Sequence, residues 1–141
     1  MLPNGAGDPT VVTHVTGTRF AIKIRSHEIM VDQTLRGGGE DTAPTPIELL
    51  GAALGSCIAY YVNQFLRTRA LPTEGLRIEV VQTKGSNPSR VEEFSVRAIL
   101  PAGLPDGYDE MIERVIHACP AHNTLGMGAR LHVAMVKDQL A

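Results

Sequence analysis

The sequence lacks most of the features that assign a chain at a glance. It has no excess of positive charge: 13 Lys and Arg face 15 Asp and Glu. The basic stripe of a nucleic-acid binder is therefore missing, and no nucleic-acid partner is expected. It has no long apolar run, because the most apolar stretch, Ile47 to Ile58, is too short to span a bilayer and is diluted by Gly, Ala and Ser. The first nine residues are polar and glycine-rich, without the basic and apolar regions of a secretory signal. They predict a loose leader over residues 1–9 of a soluble, cytoplasmic protein with no membrane partner. Cysteine is scarce too, limited to Cys57 and Cys119. Two thiols are too few for a zinc site without other ligands, and a structural disulfide is out of place in a reducing compartment. What is present is a chain of 141 residues, 43% of them hydrophobic, which is enough for one domain over residues 10–141 with an unstapled core.

Periodicity orders the elements. Thr10–Val15 reads as a strand and Gly17 as a turn, and Arg19–Arg25 alternates apolar Phe20, Ile22 and Ile24 with polar neighbours. His27–Asp32 makes a third strand, before a glycine loop from Leu35 to Ala43. Thr45-Pro46-Ile47-Glu48 is a capping box, with Thr at the N-cap, Pro at the first helical position and Glu at the third. The helix it starts runs to about Arg69 and is apolar on nearly every side at first, which predicts burial on most faces. Leu76–Gln82 and Phe94–Leu100 read as strands around a loop, Thr83–Ser89. A second helix, Gly107–Cys119, carries a stripe of Tyr108, Met111, Ile112, Val115, Ile116 and Cys119, and Pro120 marks its end. Leu131–Val136 is expected as a last strand. The order is β-β-β-α-β-β-α-β, an α+β fold with a central buried helix.

Both cysteines face inward from separate helices on this reading. Such a pair can do peroxide chemistry: one thiolate attacks the O–O bond and becomes a sulfenic acid, and the other condenses with it to a disulfide. The alternative is two inert, buried thiols held protonated by an apolar site. Periodicity and spacing leave both open.

The segment from Gly37-Gly38-Gly39-Glu40-Asp41-Thr42-Ala43-Pro44 through Thr45-Pro46-Ile47-Glu48 to Gly55-Ser56-Cys57 resembles the glycine loop and central helix of the OsmC/Ohr family. Ala118-Cys119-Pro120-Ala121-His122-Asn123-Thr124-Leu125 resembles that family's second cysteine motif. The resemblance spans about Arg19 to Val136, with both motifs in the family's order. It implies an OsmC-like fold, an intertwined homodimer with two sites at the subunit interface, and thiol-dependent reduction of organic hydroperoxides without metal or cofactor. It places the peroxidatic role on Cys57 and the resolving role on Cys119, with a dithiol reductant, often of the lipoyl type, restoring both.

The family also sets an Arg near the thiolate and a Glu to hold that Arg. Gly17-Thr18-Arg19 matches the turn that carries the Arg, so Arg19 is the candidate, and Arg36 in the glycine loop is a weaker one. The Glu is where the sequence departs, since the matching position holds Ile47. Glu48, one residue on, falls about 180° from Cys57 on an ideal helix, and its capping role accounts for it. His122, three residues after Cys119, suggests either a Cys–His metal pair or a Cys–His hydrolase with Asn123 orienting the base. Neither has supporting ligands or an oxyanion hole in the sequence. Tyr60, Tyr61 and Phe65 are read either as core packing or as the wall of an apolar pocket beside Cys57. Two rival functions remain: a non-catalytic protein of this fold that binds a small apolar ligand at a dimer interface, favoured by Ile47, and a purely structural Cys57–Cys119 disulfide.

Overall fold

A computed structural model describes residues 7–137. Residues 1–6 of the expected leader and the end of the expected domain, 138–141, lie outside the described residues. Three strands, β1 (Val11–Thr16), β2 (Arg19–Ile24) and β3 (His27–Val31), form an antiparallel meander in that order. A 23-residue helix, α1 (Pro46–Thr68), follows the glycine loop. The hairpin of β4 (Arg77–Gly85) and β5 (Arg90–Ile99) forms the second sheet. Two short helices, α2 (Asp109–His117) and α3 (Pro120–Met127), complete the regular structure. The architecture is α+β, as the periodicity predicts.

Contacts gather the chain into two compact units. The first draws on Met1–Ala52 and Val81–Ser95, the second on Ala53–Val80 and Val96–Ala141. In the first, the register pairs Val12 with Ile22 and Ile22 with Ile29, and a bulge after His14 shifts the ladder so that Thr16 faces Arg19. An extra residue there bends the strand and re-aims its side chains at the β1–β2 turn. The first turn of α1 has both capping-box bonds: Glu48 N–H donates to Thr45 Oγ1 at 3.2 Å, and Thr45 N–H donates to Glu48 Oε1 at 2.9 Å. Gln82 Nε2 donates to the Ile47 carbonyl at 2.9 Å, fixing the hairpin to the start of the helix.

The second unit holds most of the core. Leu54, Ile58, Val62, Phe65 and Leu66 form one buried stripe on α1, joined by Ile112 of α2 and by Cys119. Each such aliphatic side chain contributes roughly 1.5–3 kcal/mol through its removal from water. Gly55 permits the close approach of β4: a Cβ there would lie 3.0 Å from Val80 Cγ2. Edge-on packing of Phe65 against Tyr108, with ring centroids 6.3 Å apart, anchors α2, and the Arg69 guanidinium lies over the Phe65 ring.

Four expectations change. The helix α1 is buried along one stripe of the single chain rather than on most sides, and Ile47, Leu50 and Tyr60 are exposed. At 23 residues it is also long and apolar enough, by length and composition, to cross a membrane, a test that a core helix passes equally; the shorter apolar run understated it. The second helix does end before Pro120, as expected, but Pro120 also opens α3, a helix missing from the expected order, because proline lacks only an N–H that the first turn leaves free anyway. Leu131–Val136 forms no strand: the segment has the alternation of one but no ladder partner among the described residues, and its side chains are almost fully exposed.

Candidate functional site

The two thiols meet in the second unit. Cys57 lies on α1 at the margin of the buried stripe, between Leu54 and Ile58, and is half-buried. Cys119 sits in the bend between α2 and α3, where it is the N-cap residue of α3 and 0% exposed. Both are free, and the Cys57 side chain is near enough to Cys119 to act on its thiol. Burial pushes the Cys119 thiol above its ordinary pKa, and the Cys57 thiol beside it adds to the rise. The amides of His122 and Ala121, at the start of α3, act in the opposite direction without forming a capping hydrogen bond. The arrangement pairs a partly accessible thiol with one shielded from solvent. In such a pair the half-buried thiol is the one that solvent can reach, and two neighbouring thiols are able to form a disulfide when oxidised.

The aromatic residues beside Cys57 separate. Phe65 is core, while Tyr60 is 59% exposed and stacks edge-on against the half-buried Tyr61, with centroids 5.2 Å apart. His122 Nδ1 lies 3.2 Å from Asn123 Oδ1, and its ring stacks nearly parallel on that of His117 at 5.1 Å. No group of three His, Cys, Asp or Glu side chains converges on one point among the described residues, so Cys119 and His122 gain no further ligands there.

The remaining candidates lie in the first unit. Arg19 opens β2 and is half-buried, with its Nε enclosed by protein and no hydrogen-bond partner. Arg36 is exposed in the glycine loop. Glu48 is committed to Thr45, which holds its carboxyl below the usual range, and Ile47 offers its carbonyl to Gln82 while its side chain is exposed.

Asp32 is the residue that sequence reasoning passed over. It is 1% exposed, at the end of β3, and its carboxylate accepts from the Thr18 hydroxyl, from Gln33 N–H at 2.7 Å, and from Thr42 N–H and Oγ1 at 3.0 and 2.7 Å. These hydrogen bonds, that of Thr18 foremost, hold its carboxyl far below the ordinary range. No local pattern announces Asp32, because its donors come from separate segments.

A family model for OsmC-like proteins matches residues 38–133. No curated protein sequence matches the chain closely enough to count as a relative. Among solved structures, a Psychrobacter arcticus protein named for an osmotic stress induced and detoxification response has a TM-score of 0.78 at 22% identity, over 87% of this chain and 91% of that one. An organic hydroperoxide resistance protein OsmC from Legionella pneumophila has a TM-score of 0.58 at 17% identity, over 85% and 90%. An organic hydroperoxide resistance protein from Elizabethkingia anophelis has 0.56 at 19%, over 86% and 91%. At these identities the structural likeness speaks for the fold.

Proposed function

The chain belongs to the OsmC-like protein family, and from that premise we propose that it is a thiol peroxidase acting on organic hydroperoxides. The observation that carries the reading is the thiol pair: a half-buried Cys57 beside a fully buried Cys119 whose thiol it influences. The names of the Legionella and Elizabethkingia neighbours support the substrate class. The Cys57 thiolate attacks one peroxide oxygen, the O–O bond breaks, and the alkoxide leaves with a proton as the alcohol. Cys57 is then a sulfenic acid, which Cys119 displaces to give a disulfide and water. A dithiol reductant reduces that disulfide and is itself oxidised to a disulfide. Arg19 is the cation that the family resemblance assigns to favour the thiolate.

A homodimer in the cytoplasm belongs to the same reading. The open faces of α1 at Ile47, Leu50 and Tyr60 and the unpaired alternation of Leu131, Val133 and Met135 support a second copy as cover. One observation favours the rival, a ligand-binding member of the fold. The position that matches the family's acid holds Ile47, and the neighbouring Glu48 is tied to Thr45.

Intact mass on reduced protein with one equivalent of cumene hydroperoxide decides between them. The peroxidase loses two hydrogens within seconds, Cys119→Ser gains one oxygen instead, and Cys57→Ser does neither. Thiols that change no faster than in air would overturn the peroxidase and leave the binding protein. A disulfide that forms as readily in air as with peroxide, with loss of stability on reduction, points to a structural link.

A further inference from the structure

We propose that Asp32 is a positioning residue for Arg19, acting through Thr18 and the glycine loop; the proposal rests on the thiolate-stabilising role given to Arg19 above. Asp32 is a buried carboxylate that no Lys, Arg or His pairs with among the described residues. Its charge is met entirely by hydrogen-bond donors. An ionised carboxylate only accepts, so both threonine hydroxyls must donate to it, which fixes their rotamers and the backbone that carries them.

The donors tie together pieces of chain that share no secondary structure. Thr18 is in the β1–β2 turn, immediately before Arg19, and Thr42 is near the far end of the glycine loop. The Asp32 amide also donates to the Pro44 carbonyl at 3.2 Å, and Asp41 N–H donates to the Gln33 carbonyl at 3.0 Å. Gly39 closes the cluster. A Cβ on it would lie 2.2 Å from the Gln33 carbonyl oxygen and 2.7 Å from Thr18 Oγ1, so the loop backbone rests directly against the residues of the clasp.

The same turn is constrained from its other side. The bulge after His14 sets Thr16 opposite Arg19, and His14 Nε2 lies 3.0 Å from the Gly17 carbonyl. Arg19 is thus held at its backbone by the bulged ladder and by the Thr18–Asp32 bond, while its Nε makes no hydrogen bond. A guanidinium without a hydrogen bond at Nε takes its direction from the backbone and from packing. Loosening Thr18 therefore releases Arg19, although Asp32 never touches the reacting atoms.

The test uses full-length protein in a Cys119→Ser background, so that Cys57 is the only thiol. The readout is the pH–rate profile of Cys57 alkylation by iodoacetamide, with the thermal midpoint measured on each variant. Arg19→Ala is expected to move the profile to higher pH and to slow alkylation at pH 7 about tenfold. Thr18→Val, which removes the hydroxyl and keeps the shape, is expected to move it the same way by about threefold. Thr18→Ser is expected to restore the parent profile. Thr42→Val cuts the clasp from the loop side and is expected to shift the profile in the same direction; it stands in should Thr18→Val fail to fold. If Arg19→Ala shifts the profile while both valine variants lower only the thermal midpoint, Asp32 is a structural anchor and the proposal falls with the role of Arg19 intact. If Arg19→Ala leaves the profile unmoved, the role of Arg19 falls first and takes the proposal with it.

Discussion

Two helices in this chain begin alike and end up doing different work. Both α1 and α3 carry proline at the first helical position, preceded by a small residue that stands at the N-cap: Thr45 before Pro46, Cys119 before Pro120. At α1 the cap is complete, with a hydroxyl accepting from the third amide and a glutamate reaching back. At α3 the N-cap side chain is a thiol that makes no capping bond, and the first turn has no acidic residue. The first terminus has its Thr45 and Glu48 amides partnered and an acidic residue beside its dipole, so it is stable and chemically silent. The second leaves its amides facing a buried sulfur, where they favour negative charge against the burial that opposes it. A helix start can be spent on stability or left to act on a neighbouring group, and the choice of N-cap residue decides which.

Cys119→Ser is the substitution that breaks this contrast hardest. It gives α3 a hydroxyl of the type that caps helices well, and it removes the sulfur proposed as the resolving one. Turnover with hydroperoxide and a dithiol is expected to fall to background while the thermal midpoint holds or rises, since a good cap is worth about 1 kcal/mol. Steady-state assays beside thermal denaturation check both halves. A large loss of stability would mean that the site needs the sulfur for packing and not for chemistry.

Thr45→Ala is the mirror experiment and a smaller one. Loss of the hydroxyl is expected to cost about 1 kcal/mol in urea denaturation, within a range of roughly 0.5–2 kcal/mol. Hydroperoxide turnover at saturating substrate should stay within about twofold, because the cap and Cys57 lie more than two helical turns apart. A drop in turnover as severe as that of Cys119→Ser would show that the two termini are not functionally separate.

These termini also show what a sequence can and cannot disclose. The capping box was legible because every bond in it joins residues three apart. The stripe of α2 was legible for the same reason, and Ile112 is its buried centre. Pro120 announces the end of α2 but not the start of α3, because a proline that stops one helix can open another, and only the backbone around Cys119 shows that it does both. Leu131–Val136 alternates as a strand should, yet a strand exists only where a partner supplies the ladder. The thiols of Cys57 and Cys119 could be named from motifs, but their meeting is tertiary. Asp32 left no trace in the pattern, since Thr18 and Thr42 become its donors only after the turn and the loop have folded back.

The smallest predicted effects are the pH dependences of the two starts, and they have opposite signs. Glu48 has its pKa lowered by the Thr45 hydrogen bonds. Its contribution is therefore complete above the ordinary glutamate value, about 4.3, and is lost as pH falls below it. Cys119 has its pKa raised, chiefly by burial. The unfolded chain gives up that proton first, so stability is complete below the ordinary thiol value, about 8.5, and declines as pH rises beyond it. Glu48→Gln should flatten the fall in thermal midpoint between about pH 5 and pH 3 by a degree or two, on top of the larger loss of the same sign from Asp32. Cys119→Ser should flatten the decline above about pH 8.5 by a similar amount in fully reduced protein. Should Cys119→Ser follow the parent through the alkaline range, the thiol at the start of α3 is not held neutral by its burial. The contrast between the two helix starts would then rest on hydrogen bonding alone.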